Sequence, residues 1–108
     1  MHKVDIKEYT VKGRKEGGEV IDVPYDMKAS LITILFHPDL RLEAQETLYR
    51  DDLANKINGW KDGHLLLEDA DYERVKGALL IVRGFTKNDA EFIRRILEAE
   101  KAEVIEKK

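Results

Sequence analysis

Near the start of the chain, apolar residues fall into two short runs separated by a polar stretch. The runs are rich in β-branched and aromatic residues and consist of Ile6, Tyr9 and Val11, then Val20, Ile21 and Val23. The stretch between them has glycines at positions 13, 17 and 18. Because glycine adopts positive φ without steric penalty, the pattern predicts a β-hairpin within residues 1–24, closed by Pro24.

The segment from Asp26 to Phe36 predicts a first helix. Its apolar residues recur at helical spacings and are Met27, Leu31, Ile34 and Leu35. Asp26 is suited to accept hydrogen bonds from the free N–H groups of the first turn, and Pro38 disfavours a helical conformation at the residue before it. The β-branched run over residues 31–34 leaves a buried strand as the alternative.

A second helix is predicted from Glu43 to Asn58, ending at Gly59, a residue that readily adopts the left-handed conformation of a helix end. Its inward stripe is expected to contain Tyr49, Leu53 and Ile57, widened by Leu48 and Ala54. Residues 65–67, all leucine, are too few for a helix and predict a brief strand able to pair with the hairpin.

Acidic residues at positions 68, 69 and 71 mark the start of a third helix, where the helix dipole favours negative charge. The predicted inward stripe of this helix is Tyr72, Val75, Leu79 and Val82, and Gly84 is its predicted end. Thr86 is the expected N-cap of a fourth helix, whose predicted buried face is Phe92, Ile93, Ile96 and Leu97.

Together these elements predict an α+β fold that is mostly helical, with about four helices packed with a small antiparallel sheet formed by the N-terminal hairpin. The 108 residues fit one domain. Its expected parts are a hairpin region at 1–24, a helical region at 25–104 and a frayed tail at 105–108.

The overall composition narrows the functional classes. The chain has no cysteine, which excludes disulfides and thiolate metal sites, and its net charge of −3 disfavours nucleic acid as a partner. The first residues contain no apolar run typical of a secretory signal, and no stretch is apolar enough to cross a bilayer. A cytoplasmic protein that does not act at a membrane is therefore expected.

No catalytic, metal-binding or cofactor-binding motif is present in the sequence. Ser30 is the only serine and lacks the glycine pattern of a nucleophile elbow, and no two histidines stand at i, i+3 or i+4. We therefore expect a protein that is not an enzyme and has no cofactor. A site made only of carboxylates would leave no motif, and the candidates for one are Asp51, Asp52, Asp69 and Asp71.

Three residues are candidate interface positions. Leu80 and Ile81 add apolar surface to a third helix whose inward stripe is already complete, so this helix either lies at the centre of the core or meets a partner. Trp60 lies beside a glycine-containing loop, and aromatic residues are common anchors in interfaces. The pattern favours a protein partner, most simply a second copy in a two-fold homodimer. Burial in the core is the alternative for all three.

A second functional hypothesis concerns the hairpin. Lys12, Arg14 and Lys15 lie close together near its predicted tip, and a basic β-ribbon can follow a phosphate backbone. Acidic residues at positions 16 and 19 offset much of this charge. The alternative function is therefore a small nucleic-acid-binding regulator.

One part of the pattern resembles a known group of proteins. Residues 26–31 open a short helix, residues 50–57 close a second helix, and residues 65–76 give a strand followed by a third helix. This order is similar to that of small uncharacterised proteins encoded by tailed bacteriophages and prophages. The resemblance implies an accessory protein that acts by binding, in the cytoplasm of a bacterial host, and it implies no catalytic residues.

Overall fold

The computed structural model describes the backbone of residues 1–106 and the side chains of residues 1–99. Within this part of the chain, four strands, four α-helices and two 3₁₀ turns confirm the predicted α+β class and helix count. The strands are β1 (His2–Asp5), β2 (Tyr9–Arg14), β3 (Val20–Tyr25) and β4 (His64–Leu67). The helices are α1 (Met27–Leu35), α2 (Ala44–Gly59), α3 (Asp69–Ile81) and α4 (Ala90–Glu106), and the 3₁₀ turns are Pro38–Leu40 and Lys87–Asp89.

The predicted hairpin is formed by β2 and β3, which pair antiparallel with Tyr9 opposite Tyr25 and Arg14 opposite Val20. Gly17 and Gly18 adopt φ of 98° and 90° in the turn, as the sequence predicts. Pro24 lies inside β3, opposite Thr10, and does not close the hairpin before Tyr25. Proline is compatible with this position because an edge strand does not need every N–H group.

The predicted pairing of β4 with the hairpin is wrong. β4 pairs antiparallel with β1, a strand that precedes the hairpin, and His2 lies opposite Leu67. The reason is shared burial: Val4 of β1 and both Leu65 and Leu67 of β4 are fully buried on one face. The four strands of residues 1–106 therefore form two separate two-stranded sheets.

Helix α1 forms as predicted, and the alternative of a buried strand is excluded. Asp26 caps it by accepting a hydrogen bond from the N–H of Ala29 at 3.0 Å. The helix ends at Leu35, three residues before Pro38. Its four predicted inward residues are all buried.

Helix α3 ends earlier than predicted, at Ile81, because Val82 takes an extended conformation with ψ of 139° and closes the last turn through its N–H to Ala78 O. Gly84, the predicted end, instead lies in the following connection with φ of 100°. The predicted inward stripe is correct, since all four of its residues are buried.

Helix α4 follows the 3₁₀ turn Lys87–Asp89, which Thr86 caps by exchanging hydrogen bonds with Asp89. Its predicted buried face is confirmed for Phe92 and Ile96, whereas Leu97 is 37% exposed. Its backbone is helical through Glu106, and the rest of the predicted frayed tail lies outside the described residues.

The hydrophobic core lies between the β1–β4 sheet and helices α1, α3 and α4, with Leu53 and Ile57 of α2 at its side. The hairpin joins this core through its first and last residues. Tyr9 and Tyr25 stack with ring centroids 4.7 Å apart, and both pack against the core. No helix among the described residues is long and apolar enough to span a membrane.

Candidate functional site

The end of α3 exposes the two apolar residues that the sequence marked as interface candidates. Leu80 is 67% exposed and Ile81 is 54% exposed. The stripe from Tyr72 to Leu79 on the opposite side of the helix is buried in the core. Helix α3 is therefore covered on one side only within the described part of the chain.

An open groove of about 520 Å³ runs between the end of α3 and the first 3₁₀ turn. Its walls are Leu80 and Ile81 on one side and Pro38, Asp39 and Arg41 on the other, with Arg83 at the end. We call these six residues the α3-end surface. Burial of apolar side chains such as those of Leu80 and Ile81 is the main source of free energy in protein association.

The α3-end surface is held in place by the backbone. The N–H of Arg83 donates to the carboxylate of Asp39 at 3.3 Å, which ties the chain after α3 to the 3₁₀ turn. Arg41 has φ of 48° and closes that turn by donating its N–H to Pro38 O. Within residues 1–99, the guanidinium groups of Arg41 and Arg83 make no hydrogen bond or ion pair, so both charges face solvent beside the groove.

Trp60, the third interface candidate, does not line this groove. Its indole N–H donates to the carbonyl of His64 at 2.8 Å, and the Lys56 ammonium lies 5.6 Å from the ring centroid. The ring is half-buried against the core. These contacts fasten the end of α2 to β4, and the structure therefore separates Trp60 from Leu80 and Ile81.

The basic residues of the hairpin are all close to groups that satisfy them. The ammonium of Lys12 bonds the carboxylate of Asp22, and that of Lys15 lies 3.4 Å from Glu19. The guanidinium of Arg14 donates to the carbonyl of Gly18 at 3.2 Å. The three cations lie together on one exposed arm, with two carboxylates interleaved.

The predicted inward stripe of α2 is wrong at two positions. Leu48 is 62% exposed and Tyr49 is 46% exposed, whereas Arg50 is 9% exposed. Arg50 faces inward because its guanidinium bonds both Glu46, at 2.9 Å, and the carbonyl of Leu35 at the end of α1, at 3.1 Å. A charged residue in a buried position leaves no sign in a hydrophobic pattern.

Helices α1, α2 and α3 are joined by an ion-pair cluster around Glu46. Its carboxylate accepts hydrogen bonds from Arg50 and from Arg74 of α3, each at 2.9 Å. Burial acts to raise the pKa of Glu46, but the hydrogen bonds from the two arginines outweigh it and hold the pKa below its ordinary value. The guanidinium of Arg74 also lies 4.7 Å from the ring centroid of Tyr49.

A smaller cleft of about 240 Å³ lies between α1, the connection after α3 and the base of the hairpin. The Tyr25 hydroxyl donates to the Asp89 carboxylate there, and Asp89 also accepts from the N–H of Thr86 at 2.8 Å. Burial, followed by the hydrogen bond to Asp89, raises the pKa of Tyr25. These groups attach the hairpin to the start of α4.

The four acidic residues considered for a carboxylate site lie on two different elements. Asp51 and Asp52 are exposed on α2, while Asp69 and Asp71 are in the first turn of α3. Asp69 lies 3.1 Å from the His2 imidazole, and Asp71 pairs with Arg74 at 3.1 Å. Among the residues whose side chains are described, no three histidine or acidic side chains are grouped so that they could hold a metal ion.

Comparisons of the chain with protein-family models, curated proteins and solved structures find no match.

Proposed function

We propose that this chain is a non-catalytic protein-interaction module that self-associates through the α3-end surface. The observation that carries the proposal is the exposure of Leu80 and Ile81 at the end of a helix whose other side is fully used by the core. Side chains this apolar gain free energy when a partner removes them from water, at about 25 cal/mol per Å² of buried apolar area. A second copy is always present at matching concentration, and two-fold dimers are the commonest closed assembly.

The test compares two positions of equal exposure. Ile81 at the α3-end surface and Val20 in β3 are each 54% exposed. Light scattering coupled to size exclusion, from low to high micromolar concentration, is expected to show a rise from monomer to dimer for the wild type and for Val20→Asp. Ile81→Asp is expected to stay monomeric while keeping its circular dichroism spectrum. A strictly monomeric wild type throughout the range would contradict self-association.

We further propose that the chain is a phage or prophage accessory protein that acts in the cytoplasm of a bacterial host. Its resemblance to small proteins of tailed bacteriophages and prophages supports this proposal. It agrees with a binding role and supplies no reaction for the chain to catalyse.

The alternative function is nucleic-acid binding through the hairpin. It is favoured by the grouping of Lys12, Arg14 and Lys15 on one exposed arm, and opposed by the ion pairs with Asp22 and Glu19. Phosphate contacts release counterions, so such binding would weaken steeply with salt. Salt-titrated binding to duplex and single-stranded DNA, lost when all three basic residues are changed to alanine, would support this alternative over the first proposal.

A further inference from the structure

The cleft of about 240 Å³ is a second place where the fold could hold a ligand, and we call it the α1–α4 cleft. Helix α1, the connection after α3, the start of α4 and the base of the hairpin all contribute residues to it. Its interior is apolar, because Ile34, Val82 and Phe92 line it and are buried. Phe85, which is half-buried, also lines it. An apolar interior with a few polar groups is the usual composition of a small-molecule site.

The part of the α1–α4 cleft beside the hairpin carries a negative charge. Asp89 is half-buried there, and its carboxylate accepts hydrogen bonds from the Tyr25 hydroxyl and from the N–H of Thr86. Both donors are neutral groups. Within residues 1–99, no cation forms an ion pair with Asp89. A carboxylate at the edge of an apolar cleft is therefore left with its charge uncompensated.

The part of the cleft beside the first 3₁₀ turn carries donors. The N–H of Arg83 lies 3.3 Å from Oδ2 of Asp39, and Nδ1 of His37 lies 3.5 Å from the same oxygen, so Arg83 and His37 are neighbours. Nδ1 of His37 accepts from the N–H of Asp39 at 3.1 Å, which leaves Nε2 as the donor nitrogen of the ring. Within residues 1–99, neither Nε2 nor the Arg83 guanidinium makes a hydrogen bond or ion pair. Asp39 adds a negative charge on the Nδ1 side of the ring but does not line the cleft.

We propose that the α1–α4 cleft binds a small zwitterion with an apolar body, of the size of an aromatic or branched-chain α-amino acid. The ammonium group of the ligand pairs with Asp89, its carboxylate pairs with Arg83 and His37, and its side chain enters the apolar interior. Since a cavity of about 150 Å³ holds benzene, a cleft of about 240 Å³ has room for a ring with a short charged tail. A ligand with one charge leaves either Asp89 or Arg83 without a partner.

Such binding does not depend on the self-association proposed above, since Leu80 and Ile81 do not line the α1–α4 cleft. Three probes of similar size test the match of charges: phenylalanine, phenylpropionate, which lacks the ammonium group, and phenethylamine, which lacks the carboxylate. In calorimetric titrations, phenylalanine is expected to bind about tenfold more tightly than either analogue. Binding no tighter than that of an analogue, or no binding of phenylalanine at millimolar concentration, would overturn the proposal.

Neutral variants test which group binds which charge. Asp89→Asn keeps the shape of the side chain and one acceptor oxygen but removes the charge. It is expected to weaken phenylalanine binding about tenfold and to leave phenylpropionate binding unchanged. Arg83→Gln is expected to weaken phenylalanine binding similarly and to leave phenethylamine binding unchanged. Equal effects of either variant on all three probes would contradict the assigned pairs.

A bulky substitution locates the ligand. Thr33 is exposed and lines the α1–α4 cleft, so Thr33→Trp is expected to obstruct it and abolish the binding of phenylalanine. Asn55→Trp, at an exposed position of α2 outside the cleft, is the matched control and is expected to bind as the wild type does. Thermal unfolding checks that each variant keeps the fold. Undiminished binding by a folded Thr33→Trp would show that the ligand does not occupy the cleft.

Discussion

At the scale of single residues, Tyr25 shows how the hairpin is attached. Its hydroxyl donates to Asp89, and burial followed by this bond raises its pKa. The folded state therefore holds the phenol proton more tightly than the unfolded state does. The resulting stability is fully present below the unfolded pKa of about 10 and is lost as pH rises through the folded pKa.

Tyr25→Phe is expected to lower the free energy of unfolding at neutral pH by about 1 kcal/mol, because the hydrogen bond to Asp89 is lost. It is also expected to flatten the fall in stability above about pH 10, since the titrating group is gone. Urea unfolding at several pH values measures both effects. Tyr49→Phe, at a tyrosine 46% exposed, is the matched control and is expected to follow the wild type. An equal decline for Tyr25→Phe and wild type would contradict the assignment.

The contribution of Glu46 to the stability of the fold depends on pH in the opposite direction. Its pKa is lowered from the ordinary 4.5, so its contribution to stability is present above that value and is lost as pH falls through the lowered pKa. Glu46→Gln is expected to destabilise the fold at neutral pH by about 1–2 kcal/mol, because two arginines lose a charged acceptor. The difference from the wild type should shrink in acid. Glu43→Gln, at an exposed residue with no capping hydrogen bond, is the control in the same unfolding measurements.

At the scale of elements, the helices could be predicted from the sequence because their ends are marked by residues close to them in the chain. Asp26 and Pro38 mark the two ends of α1, and both act within a few residues of the helix. The pairing of β1 with β4 joins residues some sixty positions apart in the chain. It is explained by the burial that Val4 and Leu65 share in the folded protein. Such pairing depends on tertiary packing and so escapes local patterns.

The residues of the candidate surface on α3 could be predicted from local pattern. The inward stripe of α3 is complete without Leu80 and Ile81, so the sequence alone indicates that these two residues are available for an interface. On α2, the rotation that exposes Leu48 is caused by Arg50 bonding the end of another helix, and that contact exists only in the folded chain. The exposure of Leu48 therefore could not be inferred from the sequence.

Gly77 offers a prediction for α3 itself. It lies in the helix interior with open space at the Cβ position, so Gly77→Ala is expected to raise the free energy of unfolding by about 0.5–1 kcal/mol through reduced backbone entropy of the unfolded chain. Gly84→Ala is the contrasting variant. Its φ of 100° strains any L side chain, and a loss of stability is expected. Chemical denaturation of the two variants should give opposite signs, and a destabilised Gly77→Ala would show that the site is not open.

At the scale of the whole molecule, the hairpin stands apart from the rest of the fold. Of its described residues, only Tyr9 and Tyr25 at its base are among the side chains packed against the core. Val11, Ile21 and Val23 are half-buried on the inner face of the hairpin. A two-stranded hairpin is at best marginally stable alone in water, so its stability depends on the attachment at the base.

The last prediction follows from this division. Amides of the hairpin beyond Tyr9 and Tyr25 are expected to exchange hydrogen through a local opening, faster than those of α1 and β4, which exchange only when the core opens. Tyr9→Phe removes the hydroxyl that donates to Asn88 O and accepts from the N–H of Phe92. This variant should speed exchange within the hairpin and change α1 and β4 much less.

Hydrogen exchange followed by NMR resolves the two regions residue by residue. A free energy of opening lower in the hairpin than in α1, and lowered further by Tyr9→Phe, is the expected result. Equal protection throughout would mean that the hairpin and the core unfold as one cooperative unit. In that case the contacts of the two tyrosines would couple the opening of the hairpin to the unfolding of the core. Loss of the Tyr9 hydroxyl would then change the amide exchange rates of every element alike.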